Sequence, residues 1–412
     1  MTPNRSHAPR VVWLEGLRGA ATLQVFLLHY LTAFFPGAND RGAAPFHYSW
    51  EAWIARPSPL FWLFDGYSAV YLFFLLSGTV LTYSFRAAPL QIPQQVMRRV
   101  VRLIMPVFFA AALASLLFSL YPTSHVAVGA ITGSTKWLAT IGPDPFSVRH
   151  FVREVAIESL FTGYQWSTLF VPLEPHLDTI SGSFNAPFWT LHVELWGSFL
   201  VMALVAMQHA SGKLYRLFLI TTPFLFWSHP LMLFVAGHLL ADFALHPHGK
   251  SVWRSLAAAA SLALGVALCC SRDWRIVDSL RQLFAPVAVR GDDLFHFQSQ
   301  LGALFVYLAV LTSVWVQRWL SSRLFQRLGK LSFSVYLVHF PILFTISCAT
   351  FLEFIPLGYG AAVAVAGVVG TIVTALFAVV FERWVDGAAV QVARKVGKTQ
   401  TTPGRPVVGD VG

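Results

Sequence analysis

The chain has 412 residues and a net charge of +10; 56% of its residues are hydrophobic and 12% are charged. Soluble domains carry about 25% charged residues, so this composition excludes an ordinary soluble protein and predicts an all-α membrane protein with several spans. The three cysteines, Cys269, Cys270 and Cys348, are too few for a disulfide framework. No Cys/His cluster has zinc spacing, so no metal is expected. The basic residues lie scattered between apolar runs, which favours membrane orientation over nucleic-acid binding.

Apolar runs long enough to cross a bilayer, about 20 residues each, recur along the chain. They fall near residues 12–35, 61–85, 101–121, 187–208, 253–270, 299–319, 328–352 and 357–381. A further run, 214–245, contains Pro223 and the pair His229-Pro230. Because proline breaks helices, we interpret this run as two short spans joined by a turn. The sequence therefore predicts a bundle of about ten transmembrane helices, and the first run, which contains Arg18, is expected to be retained rather than cleaved as a signal peptide.

The positions of Lys and Arg predict the orientation of these spans. With a cytoplasmic N-terminus, the segments on the cytoplasmic side hold about twice as many Lys and Arg residues as those on the other side, which predicts that both termini are cytoplasmic. The expected organisation is a cytoplasmic segment at 1–10, a membrane domain at 11–386 and a cytoplasmic, partly disordered tail at 387–412. Two long segments, 122–186 and 271–299, would lie on the opposite side.

The first run carries Glu15, Arg18 and His29 inside it. An arginine at the centre of a bilayer costs roughly 2.5–3.5 kcal/mol on insertion scales, so its presence there indicates a use. On a helix, Arg18 and His29 lie about 20° apart around the axis and about 16 Å apart along it. Structurally, they could be a packing histidine and a snorkelling arginine. Functionally, the imidazole could act as a general base, while the guanidinium could bind a phosphate, carboxylate or carbonyl oxygen.

Polar side chains also lie inside the second and fourth runs. Ser77 is a small residue of the kind that allows helices to approach closely. Thr190, Glu194 and Ser198 share one helical face at i, i+4 and i+8. A carboxylate at this depth needs a partner or a wet cavity, so Glu194 could orient His29 or a substrate hydroxyl, or it could pair with a buried cation.

A late run carries a second polar stripe. Ser332, Tyr336 and His339 stand at i, i+4 and i+7 and therefore share one face of a helix. Such a stripe could join two helices through hydrogen bonds. Three polar groups in line, ending in a second membrane histidine, favour the lining of a cavity.

Charged residues cluster near the ends of two further spans. Arg98, Arg99 and Arg102 could anchor their span on the cytoplasmic side. They could also bind a polyanion such as the phosphates of coenzyme A. Glu382 and Arg383, near the inner end of the last span, are interpreted as a local ion pair.

Together these residues resemble the motifs of the acyltransferase-3 family of integral membrane O-acyltransferases. The matching segments, in the family's order, are Leu14-Glu15-Gly16-Leu17-Arg18-Gly19 with Leu28-His29, then Phe73 to Gly78, Arg98 to Pro106, Phe188 to Glu194, and Leu328 to His339. The resemblance covers residues 11–386, and it implies the family's architecture of ten spans.

The resemblance also implies an activity and a set of roles. The family moves an acyl group, often acetyl from acetyl-coenzyme A, to a hydroxyl of a carbohydrate, a lipid or another small molecule. It implies that His29 is catalytic with Arg18 and Glu194 in support, and that Arg98, Arg99 and Arg102 bind the acyl-coenzyme A co-substrate. Residues expected to line the substrate cavity are Ser77, Trp189, Ser332, Tyr336 and His339. The expected partners are acyl-coenzyme A, a hydroxyl-bearing acceptor and membrane lipid, with no tightly bound cofactor.

The chain departs from the family's pattern at four positions. Glu15 stands where an aspartate is common, Tyr30 where a second histidine is common, His192 where a serine is common, and Leu195 where a second acid often follows. The last two changes leave the role of the fourth span open. Direct transfer and an acyl-enzyme intermediate also both remain open.

Two other classes of protein were weighed. A secondary transporter or lipid flippase would also place charges inside the membrane. Transporters typically contain inverted repeats and broken helices, whereas this sequence has one plausible break, near Pro223 to Pro230, and no visible repeat. A purely structural protein would leave both polar stripes unexplained.

Overall fold

The computed structural model describes residues 11–39, 44, 46–143, 146–165, 167–245, 251–271, 274–283 and 297–396. These residues form helices and connecting loops, with no β-strand among them, which confirms the predicted all-α class. The predicted N-terminal segment 1–10 and residues 397–412 of the predicted tail lie outside the described residues. All three cysteines are buried and unbridged.

The helices follow one another along the chain with short connections. The first are α1 (Val12–Phe34), α2 (Pro36–Asn39), α3 (Glu51–Ile54), α4 (Gly66–Arg86), α5 (Ile92–Leu120), α6 (Ser124–Thr132), α7 (Val148–Arg153) and α8 (Trp189–Ala210). They are followed by α9 (Gly212–Phe226), α10 (Leu231–Leu245), α11 (Val252–Cys270), α12 (Arg275–Gln282), α13 (Phe297–Thr312), α14 (Val314–Leu320), α15 (Arg323–Ile342), α16 (Cys348–Phe354), α17 (Tyr359–Phe381) and α18 (Gly387–Val396). The π-helical segments Leu343–Ser347 and Glu382–Asp386 join α15 to α16 and α17 to α18.

Several of these helices are long and apolar enough to cross a membrane. Among the described residues six runs qualify: Gly66–Arg86, Ile92–Leu120, Ala186–Ala210, Val252–Cys270, Arg323–Leu357 and Tyr359–Val396. The pair α13–α14 makes a seventh if it counts as one span. Helix α1 has 23 residues, a spanning length, but its polar residues make it less apolar than these. The protein is a multi-pass membrane protein.

The structure corrects several predicted boundaries. Helix α4 begins at Gly66, after a 3-10 turn, rather than at residue 61. Helix α5 begins at Ile92 rather than at 101, so the basic cluster lies within the helix and not before it. The predicted span 299–319 is bent by 96° between α13 and α14, because Ser313 accepts a hydrogen bond from the Val316 amide and begins a new helix.

Other predictions are settled by local contacts. The run 214–245 is divided into α9 and α10 by a turn that includes Pro230, as predicted. The predicted local ion pair of Glu382 with Arg383 is wrong. Glu382 pairs instead with Lys330 on α15, at 3.1 Å, and the Arg383 guanidinium lies over the neighbouring Trp384 ring. Glu382 therefore ties the end of the last long helix to α15.

Helices α1 and α15 approach each other more closely than any side chain would allow. A Cβ atom on Gly329 of α15 would lie 2.0 Å from the Glu15 carbonyl oxygen of α1, and one on Gly19 would lie 2.6 Å from the Gly329 nitrogen. Small residues permit such backbone contact between membrane helices. Helix α1 also packs on α4, and α4 packs on α8, so these four helices form the centre of the bundle.

The long segment between α5 and α8 is folded against this bundle. It contains α6, then α7 continued by the π-helical segment Glu154–Thr162, then three 3-10 turns that lead into α8. The predicted helix at 150–162 is therefore present, and it packs on α5 and α8.

Candidate active site

The two predicted membrane histidines meet at the centre of the bundle. Helix α1 carries His29 and α15 carries His339, and the two imidazoles lie parallel with Nδ1 of His29 2.7 Å from Nε2 of His339. Their aromatic neighbours are Trp137, whose ring centroid stacks 5.6 Å from that of His29, and Phe340, which presents its edge at 5.5 Å. The two polar stripes seen in the sequence therefore form one site.

The hydrogen bonds of this pair assign the tautomer of each ring. Nδ1 of His339 lies 2.9 Å from the Val335 carbonyl oxygen, which can only accept, so Nδ1 of neutral His339 carries the proton. Nε2 of His339 is then the acceptor, and Nδ1–H of His29 donates to it. Nε2 of His29 is left with a free lone pair, which is the arrangement required of a general base.

His29 lines a cavity of about 1150 Å³, which we call the histidine cavity. Its other polar or aromatic lining residues are Thr32, Asn39, Tyr67, Trp137, Trp189 and Tyr336. The predicted cavity residue Trp189 is thus in place beside His29. Trp137 and Asn39 lie outside the predicted spans, and no spacing in the sequence pointed to them.

A second cavity, of about 660 Å³, lies next to the first, and we call it the arginine cavity. Its polar lining consists of Arg18, Ser77, Arg99, Arg102, Thr190, Glu194, Ser332 and Tyr336. Six predicted site residues other than Tyr336 therefore lie around one space. Arg98, also predicted, lies outside it.

Glu194 belongs to the arginine cavity and not to the histidine pair. Its carboxylate forms an ion pair with Arg99 and accepts a hydrogen bond from the Ser77 hydroxyl at 2.8 Å. Of the roles considered for Glu194, pairing with a buried cation is the one present, and it does not orient His29. Ser77 also has a polar partner in addition to its small size.

The two cavities lie end to end along the bundle axis. In α1 the arginine cavity takes Arg18, whereas the histidine cavity takes residues between 25 and 32. In α15 the arginine cavity takes residues 332 and 333, the histidine cavity takes Phe340, and Tyr336 lines both. The same order holds along α4 and α8. A polar path therefore follows the helices and changes from cationic to aromatic along its length.

Only two residues line both cavities, Val70 of α4 and Tyr336 of α15. The Tyr336 hydroxyl lies 2.8 Å from the Thr190 hydroxyl and donates to the Pro187 carbonyl oxygen at 3.1 Å. The first turn of α8 therefore holds the tyrosine ring in place. We refer to Val70 and Tyr336 as the partition.

His192, one of the departures from the family pattern, is fully buried and serves the fold. Its Nδ1–H donates to the Leu160 carbonyl oxygen at 3.2 Å, and its Nε2 accepts from the Leu169 amide at 3.1 Å. The ring is fully hydrogen-bonded and lines neither cavity. It fastens the long segment before α8 to the bundle. Tyr30, the other aromatic departure, bonds to Ser347 at 2.9 Å and supports the contact of α1 with the π-helical segment after α15.

A cluster of acids in the long segment was not anticipated. Glu154 is fully buried and accepts hydrogen bonds from the Phe184 amide and the Tyr164 hydroxyl. Burial raises the pKa of Glu154 to about 8 because the charged carboxylate is removed from water. Nearby, Arg153 pairs with Glu158 at 2.8 Å, although burial still raises the pKa of Glu158 to about 7.

Ligand atoms of His150, Glu158 and Asp178 lie within 4.8 Å of one another, a spacing compatible with a metal ion. Arg153 reaches Asp178 as well, at 3.4 Å, so the acids already have a cation among them. The cluster acts as an ion-pair network that holds this segment together.

The fold and this site define a multi-pass membrane protein with an oriented imidazole base beside an arginine-lined cavity. The chain belongs to the acyltransferase-3 family, since the family model described as an acyltransferase domain matches residues 11–383. It is similar to the O-acetyltransferase PaAT-1 of Phomopsis amygdali, with 23% identity over 462 aligned positions that cover 95% of this chain and 86% of that protein. No solved structure matches the chain. The protein is accordingly an O-acyltransferase enzyme.

Proposed function

We propose that the protein transfers an acyl group, acetyl in the simplest case, from acyl-coenzyme A to a hydroxyl of a carbohydrate, a lipid or another small molecule. The observation that carries this proposal is the free Nε2 lone pair of His29, in a cavity that touches an arginine-lined cavity at Tyr336 and Val70. The O-acetyltransferase relative supports acetyl as the acyl group. Arginine fits the donor because guanidinium binds phosphate through charge-assisted hydrogen bonds.

In this proposal the two substrates enter from opposite ends of the path. The acyl thioester extends through the arginine cavity to the partition, while the acceptor hydroxyl lies beside His29. Nε2 of His29 removes the hydroxyl proton as the oxygen attacks the thioester carbonyl, forming the C–O bond. The C–S bond then breaks, and the proton held by His29 is returned to the leaving thiolate. The partition must move for the two reacting groups to meet.

Arg18, on the same helix as His29, faces the arginine cavity. Its guanidinium is placed to bind the phosphate or carbonyl groups of the donor. Glu194 neutralises Arg99 and so limits how much positive charge the empty cavity must hold. These are binding and positioning roles, and the proton transfer belongs to His29.

We further propose that α1, α9 and α10 cross the membrane with the runs that are long and apolar enough, giving about ten spans with both termini on the cytoplasmic side. The excess of Lys and Arg in the connecting segments supports this orientation. Single-cysteine labelling with a membrane-impermeant maleimide tests it. A position in α18 labelled from outside intact cells would contradict the orientation.

Transfer of label from radioactive acetyl-coenzyme A in isolated membranes tests the activity. His29→Ala is expected to abolish incorporation into product while the protein remains at its normal level. His209→Ala is the matched control, because His209 is exposed at the end of the cavity-lining helix α8. Normal turnover by intact His29→Ala protein would refute the proposed mechanism.

A transporter without acyl transfer is the competing class. The sharp helix break between α13 and α14 contributes no lining residue to either cavity, so the site itself contains no broken helix of the transporter kind. Substrate flux into proteoliposomes in the absence of any acyl donor would favour that class.

A further inference from the structure

A groove outside the arginine cavity is lined by four arginines, Arg98, Arg99, Arg102 and Arg394. Helices α4, α5 and α18 form its walls, and we call it the α18 groove. No acidic residue is among its lining residues. Arg99 and Arg102 also line the arginine cavity, so the groove and the cavity adjoin.

The four arginines differ in their partners. Arg99 is neutralised by Glu194, and Arg102 by Asp386. Within the part of the chain that the structure describes, no carboxylate pairs with the other two. The Nε atom of Arg98 is buried there without a hydrogen-bond partner.

The length of the last helical run places this groove near the membrane surface. Helix α17, the π-helical segment and α18 form one run of 38 residues, Tyr359–Val396. Such a run is about 57 Å long, whereas the hydrocarbon core is about 30 Å thick. The last turns of α18, with the exposed Arg394, therefore extend beyond the hydrocarbon. Since α18 packs on α5, the Arg98 end of α5 lies there too.

We infer that the α18 groove binds the phosphate groups of the acyl-coenzyme A donor, with Arg394 and Arg98 as the phosphate ligands. Arg99 and Arg102, already paired, form the passage to the arginine cavity. This inference rests on the proposed function and adds to it a binding role for α18, which lies beyond the region matched by the family model. Two unpaired guanidinium groups in a groove without acids suit a polyanion, and a coenzyme A phosphate and a lipid phosphate share that chemistry.

Equilibrium binding of coenzyme A to the full-length protein in phosphatidylcholine nanodiscs tests the inference. Arg394→Ala and Arg98→Ala are each expected to raise the Kd for coenzyme A roughly tenfold, the effect of losing one charge-assisted hydrogen bond. Binding of pantetheine, which has no phosphate, should be unchanged. Arg394→Lys should retain most of the affinity because it keeps the charge, and Arg323→Ala, which removes an exposed arginine outside the groove, is the control.

The outcomes separate the inference from the proposed function. An unchanged Kd for coenzyme A in both alanine variants would overturn the inference, whether or not wild-type protein transfers acetyl. Lowered retention of phosphatidylglycerol with unchanged coenzyme A binding would assign the groove to lipid headgroups and overturn it as well. If wild-type protein binds coenzyme A through these arginines but transfers no acetyl group, the inference holds and the proposed function fails.

Discussion

Nε2 of His339 accepts a hydrogen bond from Nδ1 of His29, and His339 itself is held by the Val335 carbonyl. His339 therefore positions the catalytic ring and fixes its tautomer without needing to touch the substrate. This is the relationship on which the chemistry of the histidine cavity depends.

Replacing His339 should affect the rate of transfer more than substrate binding. His339→Ala is expected to lower kcat about 10- to 100-fold, in line with other residues that orient a functional histidine, with little change in KM. His339→Gln should recover part of the rate, because a side-chain oxygen can again accept from Nδ1 of His29. Steady-state acetyl transfer with both variants checks this, and equal rates for all three proteins would rule out the positioning role.

The pairing of Glu194 with Arg99 should appear as coupling between the two residues. Breaking a buried ion pair from one side leaves an uncompensated charge and costs about 3–5 kcal/mol. Glu194→Gln and Arg99→Gln should therefore each lower the Tm, and the double variant should be more stable than the sum of the two losses predicts. Thermal unfolding of the four purified proteins measures this, and simple additivity would contradict the pairing.

The close approach of α1 and α15 should tolerate no side chain. Gly329→Ala places a methyl group 2.0 Å from the Glu15 carbonyl oxygen, and overpacking of this kind costs roughly 1–3 kcal/mol or more. We expect a lower Tm and a reduced yield of folded protein by size-exclusion chromatography. Gly367→Ala on α17 is the control, because its methyl group would meet no atom within 4 Å. Equal stability of the two variants would show that the helices can separate freely.

The buried carboxyl of Glu154 should make stability depend on pH. Because its pKa is raised from about 4.5 to about 8 on folding, the folded protein holds a proton that the unfolded chain has lost. Stability should therefore fall as the pH rises from 4.5 to about 8, and Glu154→Gln should reduce this fall. Tm measured from pH 5 to pH 9 checks the prediction. Glu353→Gln, at an exposed position, should follow the wild type, and an unchanged pH slope in Glu154→Gln would contradict the assignment.

The polar residues of the candidate site could be predicted from the sequence because hydrocarbon penalises them. Arg18, His29, Glu194 and Tyr336 stood out in apolar runs for that reason, and each of them lines one of the two cavities. Helical periodicity also placed His339 on the same face as Tyr336. The identity of the polar positions was therefore available without any structure.

The pairings between these residues were not available in the same way. His29 and His339 are 310 positions apart, and nothing local in either helix says which ring accepts the proton. The choice of Arg99 as the partner of Glu194 depends equally on how α5 packs against α8. Trp137 comes from a segment without regular periodicity, so its place beside His29 depends on tertiary contacts.

Helix boundaries were hardest to predict where apolar composition continues through a break. The bend at Ser313 depends on one serine capping a new helix within an apolar run. The helical tail that carries Arg394 has the opposite character, because it is polar enough to look like a connecting segment.

The partition of Val70 and Tyr336 has an electrical consequence. If water fills both cavities, the insulating thickness of the membrane at this point shrinks from about 30 Å to the width of a tyrosine ring. A transmembrane voltage would then fall mainly across these two side chains. An enzyme that passes an acyl group through this point must do so without opening a path for protons. The hydrogen bonds that hold Tyr336 to the first turn of α8 therefore preserve the insulation of the bilayer as well as the shape of the site.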